Sequence, residues 1–158
     1  MQPAPVLERD ASTLAPLPLS PTPARRQPSL RILTVDDNVD LADTLAMVLG
    51  LWGHTVRTAY DGLAALEVAA SFHPDVVLVD LGLPKMDGLE VARRLREATT
   101  GAPLLLSMSG FGPELARRRG NEVGFHDHLV KPLDMESLRS LLDACIDGAE
   151  GRDGRSAP

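Results

Sequence analysis

Five polar or charged side chains in this sequence each follow an apolar run of the kind that forms a buried strand. The pair Asp36-Asp37 follows "RILTV", and Asp80 follows "VVLV". Ser109 follows "PLLLSM", and Lys131 follows "HLV". Three converging carboxylates repel each other unless a cation compensates them, and a hard cation such as Mg²⁺ suits oxygen ligands. A carboxylate nucleophile, a metal ion, a lysine and a hydroxyl are together the minimum equipment for forming an aspartyl phosphate.

Taken singly, each of these residues also has an ordinary structural explanation. Asp36, Asp37 and Asp80 are good caps for the helices that follow them, because aspartate accepts hydrogen bonds from the first N–H groups of a helix. Ser109 fits a turn, and Lys131 fits a solvated surface. The functional interpretation depends on all five residues meeting at one edge of one sheet.

The elements that must position these residues alternate between strand and helix. Short β-branched or leucine-rich runs predict the strands, and apolar residues at helical spacing predict the helices. This alternation is typical of a mostly parallel sheet with helices on both faces, whose site lies beyond the carboxyl ends of the strands. The predicted strands are Leu30–Val35, His54–Ala59, Val76–Val79, Pro103–Met108 and His126–Val130, and the predicted helices are Asp40–Trp52, Gly62–Phe72, Gly88–Ala98, Pro113–Val123 and Met135–Ile146.

Composition narrows the classes of function. Only 3% of the 158 residues are aromatic and the formal net charge is −6, which argues against base stacking and phosphate-backbone binding, so we expect no direct nucleic-acid partner. Cys145 is the single cysteine, which allows no internal disulfide and fits a reducing cytoplasm. We find no apolar stretch long enough for a membrane span and no secretory signal, so a cytoplasmic location without membrane contact is expected.

The chain divides into three parts by composition. Residues 1–28 hold seven of the 13 prolines and predict a disordered leader. Residues 29–148 carry the alternating pattern and predict one folded domain. Residues 149–158 are rich in glycine and charge and predict a flexible tail.

Four motifs together resemble a known family. They are "TVDDN", "LVDLGLPKMDG", "SMSGFG" and "LVKP", and the similarity runs from Leu30 to about Gly148. The sequence resembles the receiver domain of bacterial two-component response regulators, and it is similar to the receivers of hybrid histidine kinases. The resemblance implies an α/β flavodoxin-like (βα)5 fold, a doubly wound parallel sheet with strand order 2-1-3-4-5.

The resemblance also implies a metal and a phosphoacceptor. Asp80 is the expected phosphorylated residue and also a ligand of Mg²⁺ (or Mn²⁺). Asp37 is expected to bind the metal directly and Asp36 mainly through water, while the backbone carbonyl of Gly82 completes the protein ligands. Asp87, seven residues after Asp80, is interpreted as a helix cap.

Further residues are expected to hold and read the phosphoryl group. By similarity, Ser109 and Lys131 bind the phosphoryl oxygens. His128 stands three positions before the lysine, where receivers often carry an aromatic residue. Ser109 and His128 are therefore the expected switch pair: the hydroxyl moves toward the phosphate and the side chain of the fifth strand follows. For His128 an ordinary half-exposed strand position is an equal alternative.

The function implied is that of a phosphoacceptor in a phosphorelay, and not of an enzyme beyond its own dephosphorylation. Its expected partners are a histidine kinase or a histidine phosphotransfer protein and an unknown downstream protein, without a DNA-binding output. The alternative is a phosphate-independent, receiver-like binding module. A phosphohydrolase of the haloacid dehalogenase type is disfavoured, because it needs a second aspartate two residues after Asp80, where Gly82 stands.

Overall fold

The computed structural model describes residues 28–98, 101–110, 112, 114, 117–118, 121 and 123–153. The predicted leader therefore lies outside the described residues except for Pro28. The predicted helix Pro113–Val123 is described at residues 114, 117, 118, 121 and 123, all of which are helical. The strands are β1 (Arg31–Val35), β2 (Thr55–Ala59), β3 (Val76–Asp80), β4 (Leu104–Ser109) and β5 (Asp127–Val130), and the helices are α1 (Val39–Leu51), α2 (Gly62–Phe72), α3 (Gly88–Ala98) and α4 (Met135–Asp153).

The five strands form one sheet in the order β2-β1-β3-β4-β5, and every pairing is parallel. The predicted fold and strand order are confirmed. Parallel pairing places the carboxyl ends of all five strands at the same edge, which we call the carboxyl edge. The pairs Val35↔Val79 and Asp80↔Met108 show that β1, β3 and β4 end nearly level with one another.

An apolar layer covers each face of the sheet. On one face Leu33, Val77 and Leu105 pack with α2 and α3. On the other face Ile32 and Leu78 pack with α1 and α4. Alternate residues of β3 face opposite layers, and all five are buried, which explains why this strand is a continuous apolar run until its last residue.

The predicted end of the closing helix at Ile146 is wrong, because α4 continues to Asp153. The prediction stopped early since Gly148 and Gly151 disfavour helix. A glycine inside a helix costs only about 1 kcal/mol, which an already formed helix tolerates. Residues 149–153, assigned to the tail, are therefore helical. Among the helices described here, none combines the length and apolarity needed to cross a bilayer.

Candidate functional site

Three aspartates meet at the carboxyl edge. Asp36 and Asp37 follow β1 and Asp80 is the last residue of β3, and carboxylate oxygens of the three lie within 4.8 Å of one another. Asp36 is 1% exposed and Asp80 is 7% exposed, whereas Asp37 is exposed to solvent. The convergence expected from the sequence is confirmed, and two of the three carboxylates are buried.

Helix capping does not explain these aspartates. The cap of α1 is Asn38, whose side chain accepts a hydrogen bond from the N–H of Leu41 at 3.2 Å. The N–H of Glu90 in α3 donates to Asp87 at 2.9 Å, as the sequence predicted for Asp87. Asn38 and Asp87 therefore accept the hydrogen bonds of the first N–H groups of α1 and α3, and neither residue belongs to the aspartate cluster.

Lys131 supplies a positive charge to the cluster. Its Nζ lies 2.6 Å from Asp36 Oδ2 and 3.3 Å from Asp80 Oδ2. Burial is the largest influence on the pKa of Lys131 and lowers it, but the hydrogen bond to Asp36 and the charge of Asp80 together raise that pKa above its ordinary value. The ammonium form is therefore the stable one, and Lys131 holds the two buried carboxylates together.

The charge and chemistry of this cluster fit a divalent cation. Three carboxylates and one ammonium leave a local charge of −2. The atoms that the three carboxylates offer to a metal are all oxygens, the ligands that Mg²⁺ and Mn²⁺ prefer. Both oxygens of Asp36 already have partners, since Oδ1 accepts from the N–H of Asn38 at 2.9 Å and Oδ2 accepts from Lys131. Exposed Asp37 is the member with the freest approach from solvent.

The backbone of Asp80 is fixed by a glycine that sequence reasoning did not assign to the site. A Cβ on Gly88, the first residue of α3, would lie 2.3 Å from the carbonyl oxygen of Asp80. Only a glycine allows the start of α3 to lie this close to the end of β3. The sequence signal was the glycine at the end of "LPKMDG", directly after the capping aspartate.

Gly82 leaves the Asp80 carboxylate uncovered on one side. Its N–H donates to Asp80 Oδ1 at 3.0 Å. A Cβ at position 82 would lie 3.6 and 3.9 Å from the two carboxylate oxygens. A larger residue at position 82 would therefore stand beside the carboxylate, and glycine keeps that approach open.

Ser109 lies at the carboxyl edge beside Lys131. It is 2% exposed and ends β4. The backbone N–H of Lys131 donates to the carbonyl oxygen of Ser109 at 2.8 Å, and the Lys131–Pro132 peptide bond is cis. The hydrogen bond holds the backbone of Lys131 next to that of Ser109, so the two residues predicted to bind the phosphoryl group both lie at the carboxyl edge.

His128 does not face Ser109. The β4–β5 register pairs Ser109 with Val130 and pairs His128 with Ser107. The Ser107 hydroxyl and His128 Nδ1 are joined by a hydrogen bond, and Ser107 is fully buried. Sequence reasoning missed Ser107, although a hydroxyl in "PLLLSM", two residues before Ser109 on the same strand face, was a readable signal.

Comparison with known families agrees with this geometry. The family model described as "Response regulator receiver domain" matches residues 32–143, more than half of the chain. The chain belongs to the response regulator receiver family. The matched range contains the aspartate cluster, Ser109 and Lys131, so the family resemblance read from the sequence motifs is confirmed.

The receiver domain also has curated relatives. Response regulator MprA of Mycobacterium ulcerans (strain Agy99) is 36% identical over 129 residues, 82% of this chain and 55% of that protein. Response regulator MprA of Mycobacterium tuberculosis (strain ATCC 25618 / H37Rv) is 36% identical over 118 residues, 75% of this chain and 51% of that protein. The chain thus spans about half the length of the curated relatives it matches.

Solved structures share the receiver fold. A putative response regulator from Chloroflexus aurantiacus J-10-fl has a TM-score of 0.70 and 29% identity, covering 76% of this chain and 99% of that one. The chemotaxis protein CheY4 of Vibrio cholerae has a TM-score of 0.70 and 28% identity, covering 75% and 99%. Almost the whole of each of these two solved chains is therefore matched by this chain.

Proposed function

We propose that Asp80 is the phosphoacceptor of a two-component phosphorelay and takes its phosphoryl group from a phosphohistidine of a kinase or a phosphotransfer protein. One observation supports this above the others. The Asp80 carboxylate lies at the carboxyl edge within 4.8 Å of two further carboxylates and 3.3 Å from Lys131 Nζ. A nucleophile next to a cation site and a fixed ammonium group suits phosphoryl transfer.

In the proposed reaction an oxygen of Asp80 attacks the phosphorus of the phosphohistidine. The new bond is P–O, the bond that breaks is P–N, and the electron pair goes to the imidazole nitrogen, which takes up a proton from water. Bound Mg²⁺ or Mn²⁺ would neutralise charge on the transferred group. Asp37, Asp80 and the carbonyl of Gly82 would hold that ion directly, and Asp36 mainly through water because its oxygens already have partners.

Two residues would hold the transferred group. Lys131 is within hydrogen-bonding distance of Asp80 and remains charged, so it can neutralise a phosphoryl oxygen as that oxygen approaches. The buried hydroxyl of Ser109 lies on the neighbouring strand at the same edge and can donate to a second oxygen. Positioning and charge neutralisation of this kind account for most of the catalysis in phosphoryl transfer.

The output is proposed to be a protein contact on the surface of the phosphorylated domain, in a cytoplasmic setting. The net charge of −6 supports a protein partner over direct contact with a nucleic-acid backbone. The phosphoryl group would act by changing the population of two conformations of this surface, and not through turnover of a substrate.

The test is the intact mass of the protein after incubation with Mg²⁺ and a small-molecule phosphodonor such as phosphoramidate. Wild type should gain one phosphoryl group, and the gain should vanish with EDTA or in Asp80→Asn. Asp75→Asn is the matched control, since Asp75 directly precedes β3 at the opposite end of the strand.

A gain that survives Asp80→Asn would contradict the assignment of the acceptor. If wild type gained no mass and also formed no beryllofluoride complex, the phosphate-independent binding module would replace the phosphoacceptor as the function.

A further inference from the structure

The buried hydroxyl of Ser107 lies on β4, two residues before the strand ends at the carboxyl edge. Ser107 and Ser109 are two residues apart, so their side chains lie on the same face of the sheet. Ser107 is 0% exposed, and it lies on the same face of the sheet as Leu105, which belongs to the apolar layer that packs with α2 and α3. A hydroxyl is costly in such a place unless it is hydrogen-bonded, and its bond is the one to His128 Nδ1.

The direction of the hydrogen bond between Ser107 and His128 depends on the protonation state of the imidazole ring. In the neutral ring with its proton on Nε2, Nδ1 accepts from the Ser107 hydroxyl and both atoms are satisfied. In the charged ring Nδ1 carries a proton and must donate, so the hydroxyl proton of Ser107 needs another acceptor. Within the described part of the chain, the Ser107 hydroxyl has His128 as its one hydrogen-bond partner. The bond therefore favours neutral His128.

The surroundings of His128 act in the same direction. Burial is the main influence on the pKa of His128 and lowers it; the charge of Asp127 on β5 raises it, and Arg117, from the segment before β5, lowers it. The buried ring of Phe125 lies beside the imidazole, 5.9 Å away between centroids. His128 is half-buried, so its ring connects a buried hydroxyl with the protein surface.

We propose that Ser107 is a positioning residue that holds neutral His128 against β4, and that this bond couples protonation of His128 to occupancy of the phosphoryl site. The coupling rests on the proposed function, because it requires a phosphoryl group on Asp80 that draws the Ser109 hydroxyl toward the carboxyl edge. The movement would leave space beside Ser107 on the same strand face. The imidazole would then lie deeper, where the charged ring is disfavoured.

Linkage gives this proposal a direction. If occupancy of the phosphoryl site lowers the proton affinity of His128, then protonation of His128 lowers occupancy of the phosphoryl site by the same factor. Acidic conditions would therefore weaken the phosphorylated state through a residue that contacts neither the metal nor the phosphate. A phenylalanine at this position would carry no titrating group, and a tyrosine would titrate far above neutral pH.

The first experiment tests the bond in the unmodified protein by ¹⁵N NMR of the histidine rings across a pH titration. We expect the Nε2–H tautomer for His128. Ser107→Ala should raise its proton affinity about tenfold, the effect of losing one hydrogen bond to the neutral form, and Ser107→Thr should restore the wild-type value. Thr34→Val is the matched control, since it removes another fully buried hydroxyl from the sheet. An Nδ1–H tautomer, or an unchanged titration in folded Ser107→Ala, would overturn the role of Ser107.

The second experiment repeats the titration with beryllofluoride and Mg²⁺ as the phosphoryl analogue. The proton affinity of His128 should fall at least threefold in wild type and by much less in Ser107→Ala. Equal titrations of wild type with and without bound beryllofluoride would overturn the coupling while leaving the phosphoacceptor intact. Failure of beryllofluoride to bind would instead count against the proposed function and would remove the coupling with it. The tautomer of His128 in the unmodified protein would still show whether Ser107 donates to Nδ1.

Discussion

Lys131 has two opposing electrostatic effects on the aspartate cluster: it neutralises carboxylate charge, and it repels a cation bound there. Its ammonium group lies within 3.3 Å of two carboxylates, so it stabilises them while opposing a divalent cation bound nearby. Replacing the lysine by methionine should therefore separate two properties. Mg²⁺ should bind more tightly by about 1 kcal/mol, since one repelling charge is removed from a half-buried site, whereas phosphorylation of Asp80 should slow at least tenfold.

Calorimetric titration with Mg²⁺ and the rate of mass gain with phosphoramidate measure these two effects. Lys85→Met is the matched control, because Lys85 is exposed in the loop between β3 and α3. If Mg²⁺ affinity fell along with the phosphorylation rate in Lys131→Met, the lysine would be acting mainly on the structure of the cluster.

Gly82 controls access to the product. Because a Cβ at position 82 would lie within 3.9 Å of both Asp80 oxygens, a longer side chain there would stand between the phosphoryl group and attacking water. We expect Gly82→Gln to slow hydrolysis of the aspartyl phosphate by a factor of roughly 3–10, about 1 kcal/mol on the barrier. Loss of phosphoryl mass after removal of the donor measures the rate. Faster hydrolysis would mean that the amide positions water and does not exclude it.

The junction between β3 and α3 determines where the nucleophile lies. An added methyl group at Gly88 meets the backbone of Asp80 and Leu81, which has no flexible end to move aside. Gly88→Ala should lower the free energy of unfolding by about 1–3 kcal/mol and also slow phosphorylation, since Asp80 must shift. Gly50→Ala should raise stability by about 0.5–1 kcal/mol, because α1 has open space at that position.

Urea denaturation and the phosphorylation rate of both glycine variants test this comparison. A Gly88→Ala protein with wild-type stability and rate would show that the two elements can separate without cost.

Features set by local interactions were predictable from the sequence, whereas a feature set by packing across the sheet was not. The bounds of α2 and α3 are as predicted, because Asp61 and Asp87 mark their starts by local capping. The meeting of the aspartates with Lys131 was also predictable, since strand alternation alone brings strand ends to one edge. The Ser107–His128 bond was not, because it depends on the register between β4 and β5, which is set by packing across the whole sheet.

In the molecule as a whole, a histidine forms a hydrogen bond with the residue that directly precedes the first strand. His54, just before β2, accepts at Nδ1 a hydrogen bond from the backbone N–H of Leu30 at 3.3 Å. Burial lowers the pKa of His54 below its ordinary value of 6.5; Asp143 raises it and Arg139 lowers it. The folded protein thus favours the neutral ring, which is also the form that can accept this bond.

Stability should therefore decrease on mild acidification. As pH falls below 6.5, His54 takes up a proton in the unfolded chain before it does so in the folded one, so the free energy of unfolding falls until the lower folded pKa is passed. One such group contributes a slope of at most about 1.4 kcal/mol per pH unit, and less here because His54 is only half-buried. Urea denaturation between pH 8 and pH 5 should show this loss in wild type and a shallower one in His54→Gln. His73→Gln serves as the control at the end of α2, and an equal change of slope in both variants would place the pH dependence outside His54.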